Sequence, residues 1–384
     1  MRIALVIERL DVHRGGRETS TAQIATDLAR RGHDVTVVCQ SGSWKADGVS
    51  VRHLGTRGLG RAAKMRHFVA AAQDHIRGGG YDIVHAMFAL PGANVFQPRG
   101  GTVRAQLETS MRRRTVLGAG LVYLTQPLNR CRWEMVGWER QVVADPNVLC
   151  LALSQMVARE FSHYYGRTEG VRVIYNGVEA PDWPAGEAAR WRQELRAKIG
   201  AADDETVFLT VATNFVLKGV AQAIECFARW YHARGDRPRG RLVIVGRELA
   251  ENYHRHAALR DVGPVVVFVP PTPEIFRWHA ASDVCMLLSW YDTCSRVLLE
   301  AMLLGNPCIT TAYNGAGELL GQGPGLVVPS PRSKREIVAA MEELADPARR
   351  AAYTEACRRM AGWLSMSRHV DELLTAYAEV KRRP

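Results

Sequence analysis

Short apolar runs of strand length alternate with amphipathic stretches of helix length from one end of this chain to the other, and halfway along the pattern starts again. A strand that is apolar on both faces must be covered on both. A helix between two such strands brings the chain back to lay the next strand parallel, so the alternation dictates parallel sheets with right-handed crossovers. In the first half the expected strands are residues 2–8, 35–39, 83–85, 148–152 and 171–178, with a helix over about 18–31 that stops at Gly32. In the second half they are 207–211, 242–246, 265–269, 284–288 and 308–311, with a helix from about 219 and a last helix over about 366–380. The 384 residues suffice for two α/β domains, each with its own core. The segment 179–200, rich in Pro, Ala, Glu and Arg, reads as a linker and a short helix. Doubly wound sheets bind ligands at the carboxyl ends of their strands, which singles out the loops 9–17, 212–218, 246–248, 270–272 and 289–296.

The last of these loops carries the most chemistry. From Tyr291 to Met302 a loop turns into an apolar helix that ends at Gly305, with Asp292 and Glu300 eight residues apart. Ser295 is placed to cap that helix, whose first amides favour an anion, most often a phosphate. Asp292 and Glu300 are expected to accept hydroxyl groups rather than to form salt bridges. Hydroxyl acceptors on either side of a phosphate seat suggest a sugar nucleotide. Gly15 and Gly16 lie in the first strand-to-helix loop, where backbone approaches a ligand closely. Lys218 stands just before the helix at 219, where an ammonium suits a phosphate. His85 closes a strand and is open to a structural or a ligand-facing role. The run Gly58-Leu59-Gly60 imitates a dinucleotide fingerprint, but it lacks the acidic residue expected about 20 positions on.

Composition narrows the class. With 47% apolar and 23% charged residues the chain has the make-up of a folded globular protein. Its opening apolar run is too short for a secretory core, and no run approaches the ~18 residues of a membrane span. The eight cysteines are scattered without a Cys-x2-Cys pair, which argues for packed thiols in a reducing compartment and against a metal site. Asp203-Asp204 lies in a polar turn with no case for a cation. The net charge of +11 is concentrated in segment 99–140, where Arg112, Arg113, Arg114, Arg130 and Arg132 alternate with Val116, Leu117, Leu121, Val122, Tyr123, Leu124, Trp133 and Trp138. That mixture suits an anionic membrane surface. Nucleic acid could use the same charge, but no reader motif accompanies it.

Together these residues resemble the retaining glycosyltransferases of family 4, with bacterial lipopolysaccharide core heptose glucosyltransferases the nearest kind. The resemblance runs through the Gly15-Gly16 loop with Glu18, the stretch Ala29 to Val37, Asp82-Ile83-Val84-His85, Asn176-Gly177-Val178, Asn214 to Gly219, Val245-Gly246-Arg247 and the carboxylate pair leading into Gly305 to Thr311. It implies a GT-B architecture: two doubly wound Rossmann-like domains facing across a deep cleft, with the C-terminal helix crossing back to the first. Residues 1–180 would bind acceptor and membrane, 181–365 the nucleotide sugar, and 366–384 would form the returning helix. It also implies residue roles. Lys218, Asp292 and Glu300 would be catalytic. Gly15, Gly16, Asn214, Lys218, Arg247, Asp292, Ser295, Arg296, Val297 and Glu300 would hold the donor, with Glu300 on the ribose hydroxyls and Lys218 on the diphosphate. Glu18, His85, Asn94 and Arg99 would lie on the acceptor side. No metal or other cofactor is implied.

Four places depart from the family pattern, one of them the segment Gln97 to Gly101, where many members carry a catalytic-side His or Asp. Asp292 stands where Glu is usual and is shorter by roughly 1.5 Å. Val216 and Leu217 replace an arginine common beside the lysine, a loss that Arg296 is expected to make good. Asn94 stands where relatives of this kind tend to have Asp. The expected activity is transfer of a hexose, glucose from UDP-glucose, to a lipid-linked saccharide such as lipopolysaccharide core, by a peripheral protein on the cytosolic face of the inner membrane. Three alternatives are a non-catalytic sugar-nucleotide binder, an epimerase or hydrolase of the same fold, and an enzyme that glucosylates nucleic acid.

Overall fold

The computed structural model describes the chain except for residues 13–14, 115–117, 119, 121–128, 236–239, 247–249 and 383–384. The chain divides into two compact units, Met1–Gly177 with Met366–Pro384, and Val178–Ser365.

The first unit is built on a seven-stranded sheet. Its strands are β1 (Arg2–Val6), β2 (Asp34–Cys39), β3 (Val49–His53), β4 (Ile83–Ala86), β5 (Val95–Phe96), β6 (Leu149–Ala152) and β7 (Val171–Val173). They lie in the order β3-β2-β1-β4-β5-β6-β7, all parallel, with Leu5 paired to Val37 on one side and to His85 on the other. Alternation along β1 sends Ile3 and Leu5 into one core and Ala4 and Val6 into another. Helices α1 (Gly16–Arg30), α2 (Gly60–Gly79), α3 (Val103–Arg112), α4 (Arg130–Ala144) and α5 (Gln155–Tyr165) complete this part of the unit.

The second unit opens with α6 (Glu187–Lys198), where the sequence suggests linker and short helix. Its six strands are β8 (Thr206–Ala212), β9 (Gly240–Gly246), β10 (Val266–Val269), β11 (Val284–Leu287), β12 (Cys308–Thr311) and β13 (Gly325–Val328), in the order β10-β9-β8-β11-β12-β13. Every pair is parallel. Phe208, Leu242 and Ile244 face one core with Phe227 and Trp230, while Leu209, Val243 and Val245 face the other with Trp278. The helices that matter below are α7 (Val220–Ala233), α8 (Ile275–Ala281), α9 (Arg296–Leu303), α10 (Lys334–Ala345) and α11 (Pro347–Met360).

The last helix, α12 (Met366–Lys381), belongs to the first unit. Met366, His369, Val370, Leu373, Ala376, Tyr377 and Val380 are its buried residues, and their three- and four-residue spacing makes one stripe against the core of Ile3, Leu5 and Ile24. Arg31 pairs with Asp371, and Arg368 donates to the carbonyls of Tyr175 at 3.0 Å and Asn176 at 2.8 Å.

In both sheets the strand order reverses beside the first strand of the unit. That point lies between β1 and β4 in one sheet and between β8 and β11 in the other. Loops leaving adjacent strands in opposite directions open a crevice there, the usual seat of a ligand in such sheets. The loop after β8 carries Lys218, and the loop after β11 carries Asp292.

Candidate functional site

The loop after β8 is held by its own backbone. Asn214 accepts from the Leu217 amide through Oδ1 at 2.8 Å and from the Lys218 amide through its carbonyl at 3.0 Å. Phe215 is buried edge-on against Tyr253, 5.0 Å between ring centres, and anchors the turn. Gly219 then sits at φ 68°, where a β-carbon would meet the Leu288 carbonyl oxygen at 2.1 Å. Only glycine allows the turn to lie so close to the end of β11. The Trp290 amide donates to the Leu217 carbonyl at 2.9 Å and ties the two loops together. Lys218 therefore stands beside the second loop, and its ammonium pairs with the Asp292 carboxylate.

Asp292 is fixed from the other side by the turn after β12. Its amide donates to the Tyr313 carbonyl and its carbonyl accepts from the Gly315 amide, each at 2.9 Å. Asn314, buried between them, accepts through Oδ1 from the amides of Ser295 at 3.3 Å and Ala316 at 3.1 Å. Ser295 occupies the N-cap of α9, as its position suggests, but its hydroxyl makes no capping bond. Since the Ser295 amide is committed to Asn314, it leaves the set of donors expected to grip a phosphate. Lys218, Asp292, Asn314, Ser295 and the start of α9 thus form one connected cluster at the switch point of the second sheet.

Two expectations fail in this cluster. Asp292 and Glu300 are both halves of ion pairs. Asp292 meets Lys218 from another loop, and Glu300 meets Arg296 at 3.6 Å, four residues back on the same helix face. Arg296, expected to supply a second cation at a phosphate, is paired on its own helix. It is 7% exposed against Glu300 at 13%. Burial pushes the Glu300 carboxyl above the ordinary carboxylate range and Arg296 pulls it part of the way back, while burial lowers Arg296 itself. Val297 sits in the first turn of α9 with its side chain half-buried. Arg247 lies outside the described residues.

In the first unit, Gly15 is the N-cap of α1 and Gly16 its first residue. The Glu18 carboxylate lies next to Gly15, where a β-carbon would meet its Oε2 at 3.6 Å. Arg17 reaches Glu8 at 2.6 Å and Glu18 at 3.5 Å. These three residues line a cavity of about 970 Å³ whose other walls come from the loop and helix start at 55–65 and from α4. Of the Gly58-Leu59-Gly60 run, Gly60 lines this cavity and opens α2.

The remaining acceptor-side candidates are engaged within the fold. His85 is fully buried, its Nδ1 2.6 Å from the Tyr377 hydroxyl, and burial drives it down to about 3, so it is a neutral strut between β4 and α12. Asn94 spans two backbone groups, accepting from the Val84 amide at 2.8 Å and donating to the Asp82 carbonyl at 3.0 Å. Arg99 is buried on Gln97, Ser20 and Asn176. A loop that leaves a central strand has buried backbone to satisfy, and these side chains satisfy it or brace the core around it. Of the four, only Glu18 reaches the cavity.

The basic segment is partly spent internally. Arg112 pairs with Glu108, and the Arg104 guanidinium lies over the Trp133 ring, 6.0 Å from its centre. Arg114 donates to the Ser110 carbonyl at 3.1 Å, and Arg130 is exposed at the start of α4. Arg113 and Arg132 are each lowered first by burial and then by neighbouring arginines. Trp133 is 43% exposed and Leu59 97%. Val116, Leu117, Leu121, Val122, Tyr123 and Leu124 lie outside the described residues. No helix among the described residues is long and apolar enough to cross a membrane, and no group of three or more His, Cys, Asp or Glu among them is placed to hold a metal ion.

Sequence reasoning missed Asn314, although an Asn-Gly pair just after a strand was a readable turn signal. It also missed three basic residues that line the cavity, Arg9 just after β1 and Arg61 and Lys64 in the first turns of α2.

Comparison with known proteins agrees with this architecture. Residues 14–180 match the family model described as Glycosyltransferase Family 4, and residues 192–360 match Glycosyl transferases group 1. A D-inositol 3-phosphate glycosyltransferase of Geodermatophilus obscurus is 27% identical over 94% of this chain and 84% of its own length. The lipopolysaccharide glucosyltransferase WaaG of Escherichia coli is 22% identical over 95% and 92%. The crystal structure of a WaaG superposes with a TM-score of 0.80 at 20% identity over 97% and 98% of the two chains. That of Anabaena HepE in complex with UDP-glucose gives 0.70 at 18% over 98% and 100%. The chain belongs to the retaining glycosyltransferases of family 4: it is a GT-B enzyme that takes its sugar from a nucleotide-sugar donor.

Proposed function

We propose that the enzyme transfers glucose from UDP-glucose to a lipid-linked saccharide, working as a peripheral protein at the cytosolic face of a membrane. The observation that carries the donor side is the cluster at the second switch point. Lys218 is paired to Asp292 beside a helix start, and Glu300 is charge-balanced by Arg296 on that same helix. In this reading Lys218 exchanges its carboxylate partner for the donor diphosphate, and Asp292, so released, accepts from hydroxyls of the glucose. Glu300 accepts from the ribose hydroxyls, with Arg296 keeping it ionised. Asn214 shapes the lysine loop.

The chemistry balances without an added acid. The bond from the anomeric carbon to the diphosphate oxygen breaks, and its electron pair leaves on the diphosphate. The acceptor oxygen bonds to the anomeric carbon from the face being vacated, and its proton passes to a diphosphate oxygen. Fixed positive charge on the departing group lowers the barrier most where negative charge develops. Glucose and the lipid-linked acceptor are supported by the relative named for lipopolysaccharide glucosylation and by the HepE complex with UDP-glucose. The relatives named for D-inositol 3-phosphate support a second acceptor reading, a soluble polyol. Membrane binding is supported by the exposed Trp133 and by Arg112, Arg113, Arg114, Arg130 and Arg132 in the same basic segment.

The test is transfer of labelled glucose from UDP-glucose to a bacterial membrane extract. Wild type should label a lipid-extractable saccharide, and Lys218→Ala and Glu300→Ala should each lower the rate at least about tenfold. Free glucose or an epimerised nucleotide sugar as the only product would refute the reading.

A further inference from the structure

The second unit has a cavity of about 380 Å³ at the opposite end of the strands that lead to the donor cluster. Asp283 and Asn306, which line it, come just before β11 and β12, whereas Asp292 and Asn314 come just after them. Arginine dominates its chemistry. The buried Asp283 carboxylate is met by Arg192 at 2.6 Å, by Arg196 at 3.0 Å and by Arg350 at 3.9 Å. All other hydrogen bonds of these three guanidiniums go to carbonyls, as where Arg350 Nη1 donates to Leu344 at 2.8 Å and to Ala345 at 3.2 Å. Carbonyls satisfy N–H groups without cancelling charge, so three positive groups against one carboxylate leave an excess of two. Burial lowers Arg350 most, Asp283 draws it back, Arg192 and Arg196 lower it further, and Asp346 counts least.

One face of α11 lines the same space. Arg350, Thr354 and Arg358 follow one another at four-residue intervals, a stripe about 12 Å long along the helix. Each has a donor to spare. Arg350 Nη2 is beyond hydrogen-bond length from Asp283, and among the described residues neither it nor the Thr354 hydroxyl donates to any group. Arg358 pairs only with Glu355, at 3.6 Å and with both side chains more than half exposed, a contact of little strength in water. Gly305 lies against the stripe and brings no side chain into the space. A β-carbon there would stand 3.7 Å from Thr354 Cγ2 and 3.9 Å from Arg358 Nε. The volume falls within the roughly 300–1,000 Å³ of small-molecule sites, and arginine forks match phosphate oxygens.

We propose that this cavity binds a small molecule through a phosphate dianion, at a site separate from the donor cluster. Arg350 Nη2 and the Thr354 hydroxyl donate to the phosphate, Arg192 adds charge from α6, and Arg358 completes the stripe. The dianion is either inorganic phosphate or the phosphoryl group of a phosphomonoester.

Inorganic phosphate and glycerol 3-phosphate, each titrated calorimetrically into the full chain, test it. Ionic strength is fixed and UDP is present in excess to occupy the donor site. Wild type should bind saturably, and the tighter of the two ligands identifies the source. Thr354→Val/Arg358→Gln should weaken that binding at least tenfold, and Arg350→Gln should abolish it. Arg359→Gln, the same loss of charge at the next residue of the helix, should bind as wild type does. Arg350 also ties down the end of α10, so the double variant, which touches none of those bonds, decides if Arg350→Gln fails to fold. No saturable binding by wild type, binding unchanged in the double variant, or equal weakening by Arg359→Gln overturns the proposal. UDP affinity, measured alone, should be the same in wild type and the double variant. A parallel loss there would trace the effect to the fold and overturn the proposal as well.

Discussion

At the scale of single residues, the proposed role of Glu300 predicts how donor binding responds to pH. Its carboxyl is raised by burial and lowered by Arg296, and in the proposed site only the ionised form would make charge-assisted bonds to two ribose hydroxyls. UDP affinity should therefore rise as pH climbs through the raised value and level off above it. Arg296→Ala removes the lowering influence, so the midpoint should move to higher pH and affinity near pH 7 should fall. Arg335→Ala, an exposed change in α10, should leave the curve in place; identical curves for the two variants would show that Arg296 has no special part. Gly219 offers a steric test. A β-carbon there would lie 2.1 Å from a backbone oxygen in a left-handed conformation, and backbone cannot yield as a side-chain tip does. Gly219→Ala should lower the stability of the second unit by roughly 2 kcal/mol or more, seen as an earlier denaturation midpoint, and weaken UDP binding as Lys218 moves. An unchanged midpoint with unchanged affinity would mean that the turn relaxes freely.

At the scale of elements, the helices and strands most readily foreseen are those with strong periodicity. The central strands, for instance 308–311, and the last helix are apolar enough to stand out of the sequence. The edge strand β3 was missed because Val49-Ser50-Val51-Arg52-His53 is largely exposed and carries polar residues on both faces. Two-residue β5 is too short to leave a pattern. The candidate site shows the same division. Lys218 and Asp292 stand out because they lie in loops that follow strands, whereas their ion pair does not, since they are 74 residues apart. The Arg296–Glu300 pair, four residues apart on one helix, was readable and was overlooked. His85, Asn94 and Arg99 misled because a polar residue at a strand end serves ligand and buried backbone equally well. Glu139 shows how an element can hang on one buried group. It accepts from the Val103 amide at the start of α3 and from the Tyr165 hydroxyl of α5, and burial pushes it from 4.5 up to about 7. A raised carboxyl gives stability that is fully present below about pH 4.5 and is lost as pH rises toward 7. Denaturant unfolding of Glu139→Gln, which cannot ionise, should show none of this loss, so its stability relative to wild type should improve by on the order of 3 kcal/mol between pH 4.5 and 8. A constant difference across that range would place the carboxyl's proton elsewhere.

At the scale of the whole molecule, three buried imidazoles set the opposite slope. His85 and His369 in the first unit and His279 in the second are fully buried and held neutral, lowered chiefly by burial. A depressed imidazole gives stability that is present above the unfolded value near 6.5 and is lost as pH falls below it. Each ring can contribute up to about 1.4 kcal/mol per pH unit, so acid should weaken the protein steeply below about pH 6. Glu139 offsets part of that in the first unit, and its replacement by Gln should steepen the acid limb of that unit alone. Midpoints followed by thermal unfolding from pH 7 to 5 test this; a flat profile would contradict it.

The claim on which the activity rests is that both ends of the nucleotide are gripped at the second switch point. A crystal structure of the enzyme soaked with UDP tests it most directly. The account predicts both ribose hydroxyls within about 3.2 Å of the Glu300 carboxylate and the diphosphate on Lys218, with the lysine drawn away from Asp292. A nucleotide seated elsewhere, or one bound while Lys218 keeps its carboxylate partner, would contradict it.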